Sequence, residues 1–309
     1  MEGILARLMG SRGQRASEEG ALSLKEQGAW GRGVFVALLC CLLALILCSC
    51  SGVQEEEVAD EPDEQLPVVQ VDCTAKLAGP VMDLAETYNM AQDQVQVSVS
   101  AVKNERSYRA KVTYEEVADL VIAGDSSTVT TLEKEKILAA GSSFALAKDS
   151  LVIVAAEDSD ITGVSKKNLK AGKYTLCLDS DGSVVGDRAR QALKSMGLYG
   201  KGAFKGALAS EGAVTVANGG AEVFRLVSEG QADIAIVLAS SVNMYGGVKV
   251  VGSLATDTYS PIRYYAGIIA DESPDSATGD EEANAFVTWC LSDADAQRIW
   301  KKWGITLAA

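Results

Sequence analysis

The chain of 309 residues contains no histidine. That removes the usual general base of hydrolases, the Ser–His and Cys–His pairs of nucleophilic catalysis, and the commonest zinc ligand. Positive charge is also in short supply. Lys and Arg total 28 against 42 Asp and Glu, a formal charge of −14. A phosphate-backbone partner needs a basic face, so no nucleic acid is expected to bind. Of seven cysteines, four (Cys40, Cys41, Cys48 and Cys50) lie in the leader. Cys73, Cys177 and Cys290 remain, and their spacing fits neither a zinc pattern nor a disulfide framework. They read as small buried apolar residues, and one disulfide among them stays open. No apolar run is long. VFVALLCCLLALILC (34–48) would make a helix of only roughly 22 Å. That is short for a membrane span of ~20 residues and normal for the apolar part of a signal peptide.

The residues around that run give it meaning. Arg7, Arg12, Arg15, Lys25 and Arg32 precede it, and it ends in Leu47-Cys48-Ser49-Cys50. A Leu, a small residue and then Cys fit a bacterial lipobox with Cys50 as the lipidated residue. A plain N-terminal membrane anchor is the alternative. Either way, the chain beyond this run is expected to be exported and held at the membrane. We therefore expect residues 1–49 to be a lipoprotein signal peptide. Residues 50–67, rich in Glu and Asp and without a base, are expected to be an extended acidic tether.

From residue 68 onward strand and helix signals alternate. VVQVDC (68–73), VQVSVS (95–100), ADLVIAG (118–124), DSLVIVAA (149–156), YTLCL (174–178), ADIAIVL (232–238), VKVVGSL (248–254) and IRYYAGIIA (262–270) read as strands. Val81, Leu84, Ala85 and Tyr88 fall on one helical face, as do Ala189, Ala192, Leu193 and Met196. Residues 219–229 form a further helix, with Asn218 as its N-cap and Gly230 closing it. Two helices end the chain; the last starts at a capping box, Ser292 to Asp295, and buries Ala296, Ile299, Trp300 and Trp303. The alternation predicts an α/β protein with mostly parallel sheets flanked by helices. Ligands of such sheets bind beyond the carboxyl ends of the strands, which directs attention to the loops after Cys73, Ser100, Leu178 and Ala217.

One of these loops, LDSDGSVVGDRARQAL (178–193), looks at first like a calcium loop. With Asp179 as position 1, position 6 would be Val184 and position 12 Arg190, where an EF-hand needs Gly and Glu. The calcium reading fails. What remains is a strand, a turn and a helix opening near Val185-Gly186. VANGGAEVFRL (216–226) repeats the arrangement at Gly219-Gly220. Helix openings offer free N–H groups and the positive end of a dipole, although ordinary turn chemistry selects the same residues.

Five segments in order resemble the molybdate-binding component of bacterial ABC transporters: VQVDCTAKLAGPVMDLAETYN, ADLVIAGD, LDSDGSVVGDRARQALKSMGLY, LVSEGQADIAIVLAS and FVTWCLSDADAQRIWKKWGI. The resemblance covers residues 68–309. It implies a two-lobed periplasmic-binding-protein-like fold with a ligand cleft between the lobes, lobe 1 being residues 68–147 plus 256–309 and lobe 2 residues 148–255. It also implies a tetrahedral oxyanion such as molybdate or tungstate held by hydroxyls and backbone N–H groups, with Val185 and Gly220 as backbone donors. Lys76 stands where the family has a first-loop Ser, Lys103 and Asn104 lie in the second donor loop (100–107), and Leu238 stands where the family has a Tyr. No cofactor and no protein-bound metal are implied. The expected partners are a small anion, a permease with its ATPase, and the membrane through Cys50, with the receptor a monomer outside the cytoplasm. Two other readings stay open. One is an enzyme using Cys73 with Asp72 and Lys76, or a Ser–Asp pair near Ser180, which the lack of His disfavours. The other is a sensory surface module, or a receptor for a different small ligand.

Overall fold

The computed structural model describes residues 66–102, 118–270 and 279–308. The chain forms two sheets flanked by helices. The first is six-stranded, in the order β13-β4-β12-β3-β1-β2. Its strands are β1 (Val68–Thr74), β2 (Gln96–Val102), β3 (Leu120–Ala123), β4 (Phe144–Asp149), β12 (Ile262–Ile268) and β13 (Thr306–Leu307). The second is five-stranded, in the order β11-β5-β10-β6-β9. It consists of β5 (Leu151–Ala156), β6 (Leu176–Asp179), β9 (Val214–Ala217), β10 (Ile234–Leu238) and β11 (Val248–Ser253). A small hairpin, β7 (Tyr199–Gly200) and β8 (Ala203–Phe204), stands apart from both.

The helices are α1 (Ala78–Ala91), α2 (Ser126–Lys134), α3 (Lys166–Ala171), α4 (Val184–Ser195), α5 (Gly220–Ser228), α6 (Ala239–Tyr245), α7 (Gly279–Ser292) and α8 (Ala294–Lys302). The apolar spacing of the sequence is what the helices bury. Val81, Leu84 and Ala85 of α1 turn inward, as do Ala189, Ala192 and Leu193 of α4. The central strands β3, β6 and β10 are buried along their whole length, because sheet neighbours and helices cover them on every side.

Each sheet is mixed, where mostly parallel sheets were expected. β1 pairs in parallel with β2 and β3, and β6 with β9 and β10. By contrast β12 runs antiparallel to β3 and β4, and β5 antiparallel to β10 and β11. The cause is the way the chain changes sheets. β4 ends at Asp149 in the first sheet and β5 starts at Leu151 in the second, with only Ser150 between. The return crossing lies between β11 and β12. DSLVIVAA is therefore not one strand but the end of one sheet and the beginning of another.

Two helix starts differ from the sequence reading. α8 is capped by Asp293, whose side chain accepts from the Asp295 N–H at 2.7 Å. Ser292 belongs to α7, and its hydroxyl donates to the Thr288 carbonyl. α5 is capped by Gly219 at φ +110, a conformation that favours glycine, and not by Asn218.

The core of the first sheet gathers Val71, Leu84, Tyr264, Phe286 and Trp300. Trp300, 2% exposed, donates its indole N–H to the Cys290 carbonyl at 2.8 Å. A buried indole needs such a partner. The second sheet has a core on each face, one around Ile153, Leu176 and Leu193, the other around Val154, Val223 and Phe224. Cys73, Cys177 and Cys290 are buried in these cores and form no disulfide, as small apolar residues would.

Candidate functional site

β6 and β9 lie side by side in parallel, with Asp179 opposite Ala217. Their carboxyl ends therefore deliver two helix starts to the same edge of the sheet. Asp179, 6% exposed, ties these starts together. Its Oδ1 accepts from the Ser180 N–H at 2.8 Å and from the Gly219 N–H at 3.0 Å, one donor from each loop. Its main-chain carbonyl accepts from Arg190 Nη1 at 3.0 Å, and Arg190 Nε pairs with Asp181 at 2.5 Å. The acids that suggested a calcium loop thus hold the turn in shape.

The α4 start is built for close approach. Ser183 caps it by accepting from the Gly186 N–H at 2.9 Å, and Asp187 Oδ1 accepts from the Gly182 N–H at 3.0 Å. A Cβ on Gly186 would fall 2.2 Å from the Ser180 carbonyl oxygen and 2.6 Å from that of Asp179. Only glycine lets the strand end and the helix start meet so tightly. With Gly186 bonded to the cap, the N–H groups of Val184 and Val185 have no acceptor inside the helix. Gly220 and Ala221 open α5 in the same way. The two backbone donors implied by the resemblance, Val185 and Gly220, therefore stand on adjacent helix starts joined by one carboxylate.

The first sheet contributes the loop after β1. Thr74 leads into a 3-10 turn, Ala75–Leu77, in which Lys76 is partly exposed while Leu77 is buried. This turn packs against α6, and α6 in turn packs against α5. Helix α6 is thus the link between Lys76 and Gly220. It follows β10 of the second sheet yet reaches into the first. Met244 packs on the first core, and Asn243 Nδ2 donates to the Lys302 carbonyl at 2.7 Å. At its N-terminal end Ser240, fully buried, donates to Asp149 Oδ2 at 2.6 Å, and the Tyr264 hydroxyl donates to the same oxygen at 3.1 Å. Burial pushes Asp149 above the usual carboxylate range, although the bonds from Ser240, Ser150 and Tyr264 pull the other way.

Leu238 is 2% exposed and packed in the second core, so this position presents nothing to a ligand. The sequence reading missed a hydroxyl that the structure supplies nearby. Tyr245 stacks on Phe224 with ring centroids 4.7 Å apart. Its hydroxyl lies 3.6 Å from where a Gly220 Cβ would be, beside the start of α5. Only an aromatic placed soon after a buried strand hinted at it. Lys103, Asn104 and Cys50 lie outside the described residues.

The thiols do not form a reactive centre. Cys73 has no exposed surface. Burial, then the charges of Glu222 and Asp179, push the Cys177 thiol up to about 11. Burial likewise pushes Cys290 upward. A thiol of that kind is a poor nucleophile.

Two mixed sheets joined by a pair of crossings thus set two helix starts, the Lys76 turn and Tyr245 around one linking helix. The family described as bacterial extracellular solute-binding protein matches residues 69–306, and the chain belongs to it. Among solved structures, one similar fold is a substrate-binding domain attributed to a molybdenum ABC transporter of Clostridium difficile. It is 23% identical with a TM-score of 0.65, over 78% of this chain and 99% of that one. Another is the periplasmic molybdate-binding protein of Azotobacter vinelandii, 19% identical with a TM-score of 0.58, over 78% and 100%. A third is a tungstate-binding protein from Desulfovibrio alaskensis, 15% identical with a TM-score of 0.51, over 79% and 99%. At these identities the likeness establishes the fold. No curated protein matches the chain in sequence. The family binds solutes outside the cytoplasm, which sets the enzyme reading aside. Among the described residues no helix is long and apolar enough to cross a membrane.

Proposed function

We propose that residues 68–309 are the solute receptor of an ABC importer. It closes lobe 1 and lobe 2 on a small tetrahedral oxyanion of the molybdate or tungstate type, the lobes dividing at Ser150, two residues later than the expected 147/148 boundary, because β4 runs to Asp149 in the first sheet. It then hands the anion to a permease driven by its ATPase. The signal peptide directs export, and a lipid on Cys50 holds the receptor at the outer face of the cell membrane.

The observation that carries this reading is the pair of helix starts joined by Asp179. A dehydrated dianion needs fixed donors in place of water, and N–H groups at two helix openings are such donors without a counter-charge. Lys76 and the Tyr245 hydroxyl, reached through α6, add a cation and a further donor. Tyr245 takes over from the family's Tyr, whose place Leu238 fills. The binding proteins for molybdate and tungstate that share this fold support the same ligand class. With a charge of −14, the protein does not gather anions by bulk attraction, so selection rests on these local donors.

The test is thermal unfolding of the protein from Ser51 onward with molybdate, tungstate, sulfate, phosphate or chloride. A ligand at 100 times its Kd adds ~2.7 kcal/mol, a shift of about 5–10 °C for a chain this size. We expect molybdate and tungstate to give the shift at concentrations where sulfate, phosphate and chloride do not, and Tyr245→Phe to reduce it. Tyr245→Phe is expected to weaken binding roughly tenfold or more, the worth of one hydrogen bond to a charged ligand. No shift with any oxyanion would refute the ligand class. Lys76 in place of a hydroxyl favours a second reading, a surface receptor or sensory module on the same fold for a different anion. A shift with phosphate alone that Tyr245→Phe reduces would select it.

A further inference from the structure

Where the chain crosses between the sheets lies a pocket of about 390 Å³. Lys148 of β4 is paired across the sheet with Arg263 of β12 on one side and with Thr306 of β13 on the other. Directly paired residues project from the same face of a sheet, with their Cβ atoms about 4.5–5.5 Å apart. Three neighbouring strands thus set a lysine, an arginine and a threonine in one row. Ser150 from the first crossing and Thr256 from the second also line the pocket.

Two cations directly opposite each other destabilise a sheet unless an anion lies between them. In a protein with a charge of −14 that anion would be expected from a nearby carboxylate. Among the described residues none supplies it, for neither Lys148 nor Arg263 takes part in an ion pair. Asp149 also lines the pocket, but its carboxylate is committed to Ser150, Ser240 and Tyr264. Two cations, Arg263 exposed and Lys148 half-buried, and three hydroxyl-bearing residues thus line one open pocket with no acid paired to either cation.

We propose that this pocket is a second anion site, separate from the helix starts of α4 and α5, and that it takes a small oxyanion of the sulfate or phosphate class. Arg263 provides a planar fork for two oxygens and Lys148 a point charge, while Thr306, Ser150 and Thr256 donate hydroxyl hydrogens. The first sheet supplies the cations and the crossings supply two of the hydroxyls. A bound anion therefore restrains the crossings, about which any closure of the lobes must turn. This site goes beyond the receptor reading and does not depend on it.

The test is equilibrium dialysis of labelled sulfate against the full-length protein in detergent micelles at low ionic strength, with and without saturating molybdate. The variants are Lys148→Ala with Arg263→Ala, the charge-keeping Lys148→Arg with Arg263→Lys, and a control, Lys166→Ala with Lys167→Ala, on the exposed start of α3. We expect a sulfate site that molybdate does not displace. The double alanine variant should weaken it by about a hundredfold, roughly tenfold per cation. The charge-keeping variant should retain most of it and the control all of it, with thermal unfolding showing each variant folded. No sulfate site in the wild type, equal binding by the double alanine variant, or full displacement by molybdate would overturn the proposal. A failure of molybdate to bind would count against the receptor reading alone, since the sulfate site is judged by its own variants.

Discussion

Asp179 is the residue on which the paired helix starts depend, and its replacement has a calculable effect. Asp179→Ala removes the acceptor of two N–H groups, those of Ser180 at 2.8 Å and Gly219 at 3.0 Å. A hydrogen bond to a charged group contributes about 1.5–3 kcal/mol net. Ser180 and Gly219 are only partly buried, so water can replace part of what is lost, and the lower end of that range applies. Two bonds then give about 3 kcal/mol. For a chain of this length that lowers the unfolding temperature by about 6–12 °C. Asp179→Asn keeps an oxygen in the same place and loses only the charge, so its expected cost is about 1 kcal/mol. Urea unfolding of the two variants beside the wild type measures both values. Loosened helix starts should also weaken oxyanion binding in the alanine variant, while the asparagine variant keeps it. The reasoning is refuted if Asp179→Ala costs less than about 0.5 kcal/mol, or if alanine and asparagine cost the same.

Three further expectations test other parts of the structure. Gly186→Ala places a methyl group 2.2 Å from a backbone oxygen that cannot swing aside, so a loss of more than about 2 kcal/mol is expected in urea unfolding. Near-normal stability would mean that strand end and helix start are farther apart than described. Burial holds Asp149 above its unfolded value, so the folded state binds this proton more tightly than the unfolded state does. Its contribution is therefore fully present below about pH 3.9 and falls as the pH rises through the folded pKa, then stays level. Asp149→Asn should remove that slope above about pH 4, as read by unfolding at a series of pH values; an unchanged slope would assign it to other groups. In the protein from Ser51 onward, Cys73, Cys177 and Cys290 should react with a thiol reagent at least about a hundredfold more slowly when native than in denaturant. Fast native labelling of Cys73 would reopen the enzyme reading.

Much of the frame is legible in the residues themselves. ADIAIVL and ADLVIAG are short, apolar and rich in β-branched residues, as central strands are, and β10 and β3 occupy those segments. The spacing of Val81, Leu84 and Ala85 fixes α1, and that of Ala189, Ala192 and Leu193 fixes α4, because a period of 3.6 reports which side of a helix is covered. Gly186 and Gly220 could be read as helix openings because glycine and cap residues carry their chemistry locally. Other elements carry no such mark. Helix α2, SSTVTTLEK, is rich in β-branched residues and forms behind its Asp125 cap, which accepts from Thr128 at 2.8 Å. Burial alone would raise Asp125, but hydrogen bonds from Ser127 and Thr128 outweigh it and hold this carboxyl below its usual range. Helix α6 has two serines and too few turns to show a period. It is stabilised by Asp149, by the Lys302 carbonyl and by the first core, all distant in sequence.

Composition and near neighbours suffice to expect an export signal and an acidic tether, to assign the α/β class, and to place helix openings at Val185 and Gly220. Each depends on composition or on neighbours a few residues away. Packing of the whole chain sets the rest: the sheets are mixed, Asp179 joins two loops forty residues apart, Tyr245 stands beside Gly220, and Lys148 faces Arg263. A local pattern reports whether a side chain will be buried. It does not report against what, because the partner is chosen by the packing of the whole chain.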